Sequence, residues 1–340
     1  MKAAIYQQTG PAADVLRVVD WDKPTPAEGQ VLVKLRASGV NPTDTKTRAG
    51  VFPIQGEWSY VMPHHDGAGV IEAVGARVSK DRIGERVWLH SVQWGGADGT
   101  AAEYAVTTAE NAVVLPDNVT FAAGATFGVP LLTAYHAVTM DGAVSGKTVL
   151  VQGGAGAVGN YAIQIAKEKG ATVIATVSSV AKADAARTAG AHHVINYKEE
   201  EVIARVQEIT NSAGVDRIIE VNLGANAKLL PDLIKNGGLV ATYGSDDFEA
   251  AFPMVGAVMQ QMRFGFFVVF MLPRAVINAA TDDLTKMLKA GKITAPIHSC
   301  FPLEQTAQAH DTVDKNSTIG NVVITIANDE SLNDRISYGS

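Results

Sequence analysis

Residues 148–169, TVLVQGGAGAVGNYAIQIAKEK, decide the fold. Residues 148–152 are β-branched and apolar without alternation, which predicts a strand buried on both faces of a parallel sheet. A G-x-G-x-x-G motif follows, and apolar residues then recur at steps of three and four, as in an amphipathic helix. This order predicts a dinucleotide-binding unit in which the amides at a helix N-terminus hold phosphates.

Each glycine of the motif has a predicted task. Gly154 makes the tight turn out of the strand, Gly156 lets a pyrophosphate approach the backbone, and Gly159 lets the helix pack closely on the strand. A merely structural turn is the alternative, because 32 of the 340 residues are glycine. The predicted cofactor contacts in this loop are Gly154, Ala155, Gly156, Ala157, Val158 and Gly159.

Composition limits the class of protein. The 340 residues are enough for two domains. A net charge of −7, from 28 basic and 35 acidic residues, argues against nucleic acid as a partner and favours a small molecule. Cys300 is the only cysteine, which excludes an internal disulfide. With no secretory signal at the N-terminus and no apolar run long enough for a membrane, we expect a cytoplasmic protein.

Two patterns divide the chain. Residues 1 to about 125 contain short β-type runs between glycines and prolines, which is typical of a partly open antiparallel barrel. From about residue 129, strands and helices alternate, which predicts an α/β fold with a doubly wound parallel sheet. The predicted strands are 148–152, 172–177, 193–196, 216–221, 239–243 and 264–270, and the predicted helices are 156–169, 181–189, 199–212, 225–236 and 254–262.

The end of the chain is predicted to return to the first domain. A helix at about 274–290 and a helical stretch at 303–315 precede a strand at 321–326. The predicted domains are therefore 1–127, completed by about 274–328, and a nucleotide-binding domain at 128–273. Residues 329–340 are polar and are predicted to form a loose tail.

Nearly the whole chain, roughly residues 1–327, resembles the quinone oxidoreductase (zeta-crystallin-like) branch of the medium-chain dehydrogenases/reductases. This resemblance implies a GroES-like catalytic domain, a Rossmann domain inserted before its last strand, and an active site in the cleft between them. Beside the glycine loop, the matching segments are GVNPTD (39–44), DGAGVI (66–71), GERV (84–87), AEYA (102–105), GVPLLTAY (128–135), AGA (189–191), GGLV (237–240), AH (309–310) and GNVV (320–323).

The first segment bears on metal binding. In the zinc-dependent alcohol dehydrogenases that the chain resembles, a zinc-binding cysteine occupies the position of Asn41, and an amide is a poor zinc ligand. His65 stands where a second ligand lies, and Val129 is near the third. We therefore expect no metal site, with His65 as a surviving ligand being the alternative.

The end of the second strand of the nucleotide-binding domain indicates the cofactor. NAD-specific folds place an acidic residue there to bind the ribose 2′-hydroxyl. This chain has Ser178, Ser179 and Lys182 instead, which favours the 2′-phosphate of NADPH. The resemblance adds a contact at Tyr197. Ser178 or Ser179 as a helix N-cap is an alternative role compatible with the first.

The resemblance implies further contacts. Independently of it, Trp58, Tyr60 and Trp94 lie in glycine-rich loops and are predicted to line the pocket of a flat aromatic substrate, or else to be ordinary surface aromatics. A homodimer is expected through residues 264–270. The remaining implied cofactor contacts are Asn41, Thr133, Asn222, Tyr243, Gly244, Phe267, Val268, Val269 and Asn321.

The sequence thus predicts an NADPH-dependent quinone reductase that transfers hydride without zinc. Asn41 is the predicted catalytic residue, bonding the carbonyl of the acceptor or positioning the nicotinamide. One alternative is reduction of α,β-unsaturated ketones, aldehydes or acyl thioesters by the same hydride step. A non-catalytic NADPH-binding protein is the alternative from another class.

Overall fold

The computed structural model of the chain describes residues 1–52, 56–247 and 249–326. The chain divides into two compact units. Residues 131–280 form the inner unit, and the residues before and after them in the sequence, 1–130 and from 281 on, form the outer unit. The predicted tail at 329–340 lies outside the described residues. None of the helices in the described part is long and apolar enough to cross a membrane.

The first part of the outer unit is rich in strands. Its elements are β1 (Lys2–Ile5), α1 (Ala12–Val15), β2 (Arg17–Asp20), β3 (Gln30–Val40), α2 (Pro42–Arg48), β4 (Asp66–Val74), β5 (Arg86–Leu89), β6 (Tyr104–Thr108), β7 (Ala112–Val114) and α3 (Phe121–Gly124).

Strands and helices alternate through the inner unit, and two strands and two helices follow it. These elements are α4 (Leu132–Thr139), β8 (Thr148–Val151), α5 (Ala157–Glu168), β9 (Thr172–Val177), α6 (Val180–Ala189), β10 (His193–Asn196), α7 (Val202–Ile209), β11 (Val215–Glu220), α8 (Leu223–Asn226), α9 (Leu230–Leu233), β12 (Ile234–Thr242), α10 (Met254–Met259), β13 (Arg263–Phe266), α11 (Arg274–Lys289), β14 (Ile297–Pro302), α12 (Thr306–Asp314) and β15 (Asn321–Thr325).

The inner unit contains the predicted doubly wound sheet. Its six strands lie in the order β10-β9-β8-β11-β12-β13 and pair in parallel throughout. Leu150, Ile174, Ile218 and Val240, from four adjacent strands, belong to one buried cluster. The strand order reverses between β8 and β11, and the crevice at such a point is where this fold binds nucleotides.

Several predicted elements of this unit differ in extent from the structure, among them the strand predicted at 239–243, which is β12 and already begins at Ile234. The strand predicted at 264–270 ends at Phe266, which pairs with Thr242, the last residue of β12. Beyond that pair the neighbouring strand has ended, and the chain turns at Val269–Met271. The helix predicted at 225–236 is divided into α8 and α9, because Pro231 is accommodated only in a first helical turn.

The outer unit contains a seven-stranded sheet. Its order is β14-β15-β3-β4-β5-β7, with β6 also paired to β3. The predicted return of the last strand is confirmed, since Val323 of β15 pairs with Gly39 of β3. Within residues 1–125 the strands pair antiparallel, as predicted, with β1 and β2 forming a separate ribbon. Beyond that range β14 and β15 are parallel, because they are joined through α12.

Candidate functional site

Asn41 lies between β3 and α2. Its backbone is extended, as expected before Pro42, and it forms the N-cap of α2. Its backbone N–H donates to the Asp44 carboxylate at 2.7 Å. The side-chain amide extends to another part of the unit, where Nδ2 donates to Asp66 Oδ2 at 2.9 Å. Asn41 is therefore more than a local turn residue.

The carboxylate of Asp66 connects three segments of the outer unit. Besides the Asn41 amide, it accepts the backbone N–H of Val129, at 2.9 Å to Oδ1 and 2.8 Å to Oδ2. Asp66 is completely buried. Burial raises its pKa to about 7, against the opposing effect of the N–H donors at Val129 and Asn41. The predicted catalytic residue is thus tied to a buried carboxylate.

His65 lies beside this group. Its Nε2 is 3.9 Å from Asp44 Oδ1, and both side chains are buried. Burial lowers the pKa of His65 to about 3 and raises that of Asp44, so both neutral forms are favoured over an ion pair. The ring of Trp94 lies 6.4 Å from that of His65. Among the described residues, no group of three or more His, Cys, Asp or Glu side chains is arranged to hold a metal ion.

Three other residues of the outer unit are predicted site residues, namely Trp58, Tyr60 and Asn321. Tyr60 packs on Trp21, with ring centroids 4.6 Å apart, and donates its hydroxyl to Asp98. It is half-buried and packs against the apolar cluster around β1 and β2. Trp58 is 45% exposed. The buried Asn321 amide donates to the Pro296 carbonyl at 2.9 Å, which joins β14 to β15 and uses the donor predicted for a cofactor.

The glycine loop has the predicted form with one change of role. The left-handed backbone after β8 belongs to Gly153, with φ of +67°, and not to Gly154. Gly154 is needed for packing, because a Cβ there would lie 2.8 Å from the Ala175 Cβ. At Gly159 a Cβ would lie 2.3 Å from the Gly153 carbonyl oxygen, so this helix does pack closely.

Gly156 is the N-cap of α5. A Cβ on Gly156 would meet only the Gly153 oxygen, at 3.4 Å, and so the backbone is open to a ligand. The next three amides, at Ala157, Val158 and Gly159, begin the helix and have no carbonyl acceptor within it. An open backbone and unpaired helix amides fit the pyrophosphate of a dinucleotide.

The residues predicted to select the cofactor lie at the ends of adjacent strands. The Tyr197 N–H, just after β10, donates to the Val177 carbonyl at the end of β9. Ser178 and Ser179 follow Val177 directly. Ser179 is also the N-cap of α6, accepting the Lys182 N–H at 3.3 Å. The structural and binding roles of this turn are therefore compatible.

A groove of about 840 Å³ lies at the carboxyl ends of β12 and β13. Four predicted cofactor contacts line it, namely Tyr243, Gly244, Phe267 and Val268. His136 of α4 contributes an edge-to-face contact with Phe267, at 4.7 Å between ring centroids. The position agrees with the general rule that ligands bind outside the carboxyl ends of parallel strands.

Three further predicted contacts are buried or used internally. Thr133 in α4 and Val269 are largely buried. The Asn222 amide donates to the Asp246 carboxylate at 2.7 Å and accepts the Asp246 N–H at 3.0 Å. Both ends of this amide therefore shape the loop after β11.

Sequence reasoning gave no role to Asp66, Thr242, His136 or Glu220. Glu220 is completely buried and accepts the Asn222 N–H and the Asn226 amide, and burial raises its pKa. Asp66 begins the matching segment DGAGVI, but its partners lie 25 and 63 residues away. An acidic residue at the start of a buried strand was the available signal.

Comparison with known proteins gives the family. Residues 27–117 match the model of the alcohol dehydrogenase GroES-like domain, and residues 157–286 that of a zinc-binding dehydrogenase. Human quinone oxidoreductase is 32% identical, over 91% of this chain and 92% of its own. A 2-haloacrylate reductase of a Burkholderia species is 30% identical, over 95% of this chain and 98% of its own.

Solved structures share the same fold. Escherichia coli quinone oxidoreductase complexed with NADPH has a TM-score of 0.85 and 25% identity, covering 96% of this chain and 100% of that one. An NAD-dependent alcohol dehydrogenase has a TM-score of 0.87 and 26% identity over the same shares.

In the sequence, the residues of a parallel nucleotide-binding sheet are inserted between strands of a GroES-like sheet. This order defines an oxidoreductase of the medium-chain dehydrogenase/reductase class. Within that class, the chain belongs to the quinone oxidoreductase family.

Proposed function

We propose that the protein is an NADPH-dependent quinone reductase that works without zinc. The observation that carries the cofactor assignment is the end of β9, where Ser178, Ser179 and Lys182 replace the acidic residue of NAD-specific folds. The overall fold alone does not discriminate, because it is shared with both an NADPH complex and an NAD-dependent enzyme.

The bound cofactor would supply the hydride. The open backbone at Gly156 and the first amides of α5 would hold its pyrophosphate, and Lys182 with the serines would hold the 2′-phosphate. The groove at Tyr243, Gly244 and Phe267 is the proposed nicotinamide site. The aromatic and apolar lining would exclude water from it.

Asn41 is the proposed contact to the acceptor. One of its two amide N–H groups donates to Asp66, and the same NH₂ group carries a second N–H that could donate to the acceptor. A donor fixed in this way can stabilise the negative charge that develops on a carbonyl oxygen as it accepts hydride. Reduced quinone oxygens take protons readily from water, so this chemistry needs no dedicated acid.

Reduction of an activated carbon–carbon double bond is the second candidate. It is favoured by the 30% identity to a 2-haloacrylate reductase, whose named substrate has such a bond. The hydride step would be the same, with the acceptor oxygen again at Asn41.

Independence from zinc is supported by the chemistry of the side chains. Of the three ligand positions, Asn41 donates its amide to the Asp66 carboxylate, His65 lies 3.9 Å from the Asp44 carboxylate, and Val129 is aliphatic. We expect purified protein to contain no stoichiometric zinc by elemental analysis and to remain active in chelator. One tightly held zinc ion per chain would contradict this.

NADPH oxidation against a panel of quinones and enones tests the proposal. We expect turnover with 1,4-benzoquinone and weaker turnover with NADH at the same concentration. Turnover only with enones would favour the second candidate, and no turnover with either class would refute both.

A further inference from the structure

The direction of the Asn41 amide depends on Asp66. Within the described part of the chain, the contacts to the Asp66 carboxylate come from N–H donors, on Asn41 and Val129. A carboxylate that only accepts requires the NH₂ end of the Asn41 amide to face it. The oxygen end of the amide must then point away from Asp66, on the side of the Asp44 backbone N–H in the capping box of α2, so Asp66 holds the donor end of the amide and the helix cap holds its oxygen end.

Asp66 is held from its backbone side as well. Its carbonyl oxygen accepts the hydroxyl of Thr100, and the Ser38 hydroxyl oxygen lies 2.7 Å from Thr100 Oγ1. Ser38 is in turn 2.8 Å from His64 Nδ1, and His64 Nε2 is 2.9 Å from His310 Nε2. Ser38, Thr100, His64 and His310 are all completely buried.

The hydrogen bonds that link His310, His64, Ser38, Thr100 and Asp66 have one consistent donor-to-acceptor direction. A carbonyl can only accept, so Thr100 donates to Asp66, and the single Ser38 proton is then donated to Thr100. Ser38 must therefore accept from His64 Nδ1–H, which leaves His64 Nε2 as an acceptor for the N–H on His310 Nε2. The remaining atom, His310 Nδ1, needs no acceptor, and it has no partner among the described residues.

The backbone conformation of His64 is consistent with a ring that is held in place by its hydrogen bonds. His64 has φ of +82°, a left-handed conformation that costs free energy for a residue with a side chain. Hydrogen bonds at both ring nitrogens hold it there. Burial lowers the pKa of both histidines, which agrees with the neutral rings that this chain of bonds requires.

We propose that Asp66 is a positioning residue that orients the Asn41 amide toward the acceptor, and that the chain from His310 through His64, Ser38 and Thr100 anchors Asp66. This inference rests on the proposed function. Asp66 itself is fully buried and would not contact the acceptor.

Asp66→Asn is the first test. Its amide has an accepting oxygen on one side only, so its NH₂ group would face the N–H of Val129 that Oδ1 accepts, or those of both Asn41 and Val129 that Oδ2 accepts. We expect turnover with an enone to fall by about tenfold or more, the change that corresponds to ~1.4 kcal/mol. NADPH affinity should change little, because the residues proposed to hold its pyrophosphate and 2′-phosphate lie within residues 131–280.

The double variant Asn41→Asp with Asp66→Asn separates orientation from stability. The amide introduced at position 66 can donate to the carboxylate introduced at position 41 and still accept the Val129 N–H, so the hydrogen bonds are restored. We expect the melting temperature to recover and turnover to stay low, because position 41 no longer offers an N–H. Recovery of both would make the pair merely structural and overturn the proposal.

The anchoring chain has its own readout. Nitrogen-15 NMR of the imidazoles should find the proton on Nδ1 of His64 and on Nε2 of His310. His310→Gln, which keeps a donor near the Nε2 position, should retain more enone turnover than His310→Leu. Other tautomers, or equal turnover of the two variants, would overturn the anchoring role.

The same experiments distinguish the failure of the proposed function. A parent protein without NADPH oxidation refutes the quinone and enone assignments, whereas the tautomers report on the chain independently. An active parent whose Asn41→Ala and Asp66→Asn variants keep full turnover would refute the positioning role alone.

Discussion

Gly128 lies directly against the Asp66 carboxylate, and a Cβ at position 128 would be 2.0 Å from Asp66 Oδ1. Gly128→Ala should therefore displace Asp66 or the loop that carries the Val129 N–H. We expect a lower melting temperature, a cost of about 1–3 kcal/mol as in other overpacked sites, and reduced turnover. Gly96→Ala is the control, because a Cβ there has open space. Equal behaviour of the two variants would show that position 128 tolerates a side chain.

Asn41→Ala removes the proposed donor to the acceptor. Loss of one such donor is typically worth about 3 kcal/mol, or roughly a hundredfold in turnover. We expect a smaller loss with 1,4-benzoquinone than with an unsaturated ketone, because the quinone needs less stabilisation. Steady-state kinetics with both acceptors, with NADPH binding and a melting curve, provide the check. Unchanged turnover with a lowered melting temperature would leave Asn41 a helix cap.

Lys182→Glu tests the cofactor preference. A charge-assisted hydrogen bond contributes roughly 1.5–3 kcal/mol, which corresponds to about 10- to 200-fold in affinity. NADPH should bind more weakly by that factor and NADH nearly as before. Lys228→Glu, an exposed lysine of the same unit, should change neither. Equal dissociation constants of NADPH and NADH in the parent protein would refute the preference.

Phe266→Lys tests the proposed homodimer. In the described part of the chain, β13 is the last strand of the parallel sheet, and Phe266 is 65% exposed at that edge. Natural proteins seldom leave such an edge uncovered. Sedimentation should find a parent dimer and a Phe266→Lys variant shifted toward monomer. Ile83→Lys, in the other unit, should remain dimeric, and a parent that is monomeric at micromolar concentration would contradict the assembly.

The buried histidines give a pH dependence with a definite sign. Burial lowers the pKa of His310 from 6.5 to about 3, with Arg48 adding to the shift. Below pH 6.5 the unfolded chain therefore binds a proton that the folded chain does not. As the pH falls below 6.5, this histidine therefore lowers the free energy of unfolding by up to about 1.4 kcal/mol per pH unit. Asp44 and Asp66, whose pKa values are raised, contribute in the opposite direction.

Comparison of His310→Gln with the parent isolates this contribution. Between pH 6 and 4, the free energy of unfolding measured with denaturant should fall less steeply for the variant than for the parent. The difference in slope should be at most about 1.4 kcal/mol per pH unit, the value for one proton. The exposed His193→Gln variant is the control. Parallel pH profiles of the parent and His310→Gln would show that His310 is not neutral in the folded state.

Local pattern was sufficient for much of the nucleotide-binding unit. Strands β8, β9 and β10 were predicted to within a residue, because each is a short apolar run between turn residues. The glycine roles were less certain for a physical reason. Gly153 and Gly154 are adjacent, and only the backbone path decides which of them takes the positive φ. The end of β13 likewise depends on where its neighbour stops.

The site of the outer unit depended on contacts that sequence spacing does not encode. The sequence indicates Asn41 as a candidate, but its amide is bonded to the carboxylate of Asp66, which lies 25 residues later in the chain. Asp66 is bonded in turn to the backbone N–H of Val129, a further 63 residues along. His310 reaches His64 across 246 residues. Tyr60 was expected in a substrate pocket or on the surface from its place in a glycine-rich loop, and that loop gives no sign of its contacts with Trp21, 39 residues earlier in the chain, and Asp98, 38 residues later.

The pairing of β15 with β3 also constrains the order of assembly during synthesis. Val322 bonds across to Val40, immediately before Asn41, so this rung is absent until nearly the whole chain has left the ribosome. Residues 131–280 are contiguous and are complete earlier. We therefore expect the nucleotide-binding unit to be completed on the growing chain before the outer unit, with the residues that lead into Asn41 among the last to be secured. A premature stop before residue 321 would release a chain in which residues 37–40 of β3 have lost their β15 partner, whereas Gln30–Lys34 of the same strand still pair with β6.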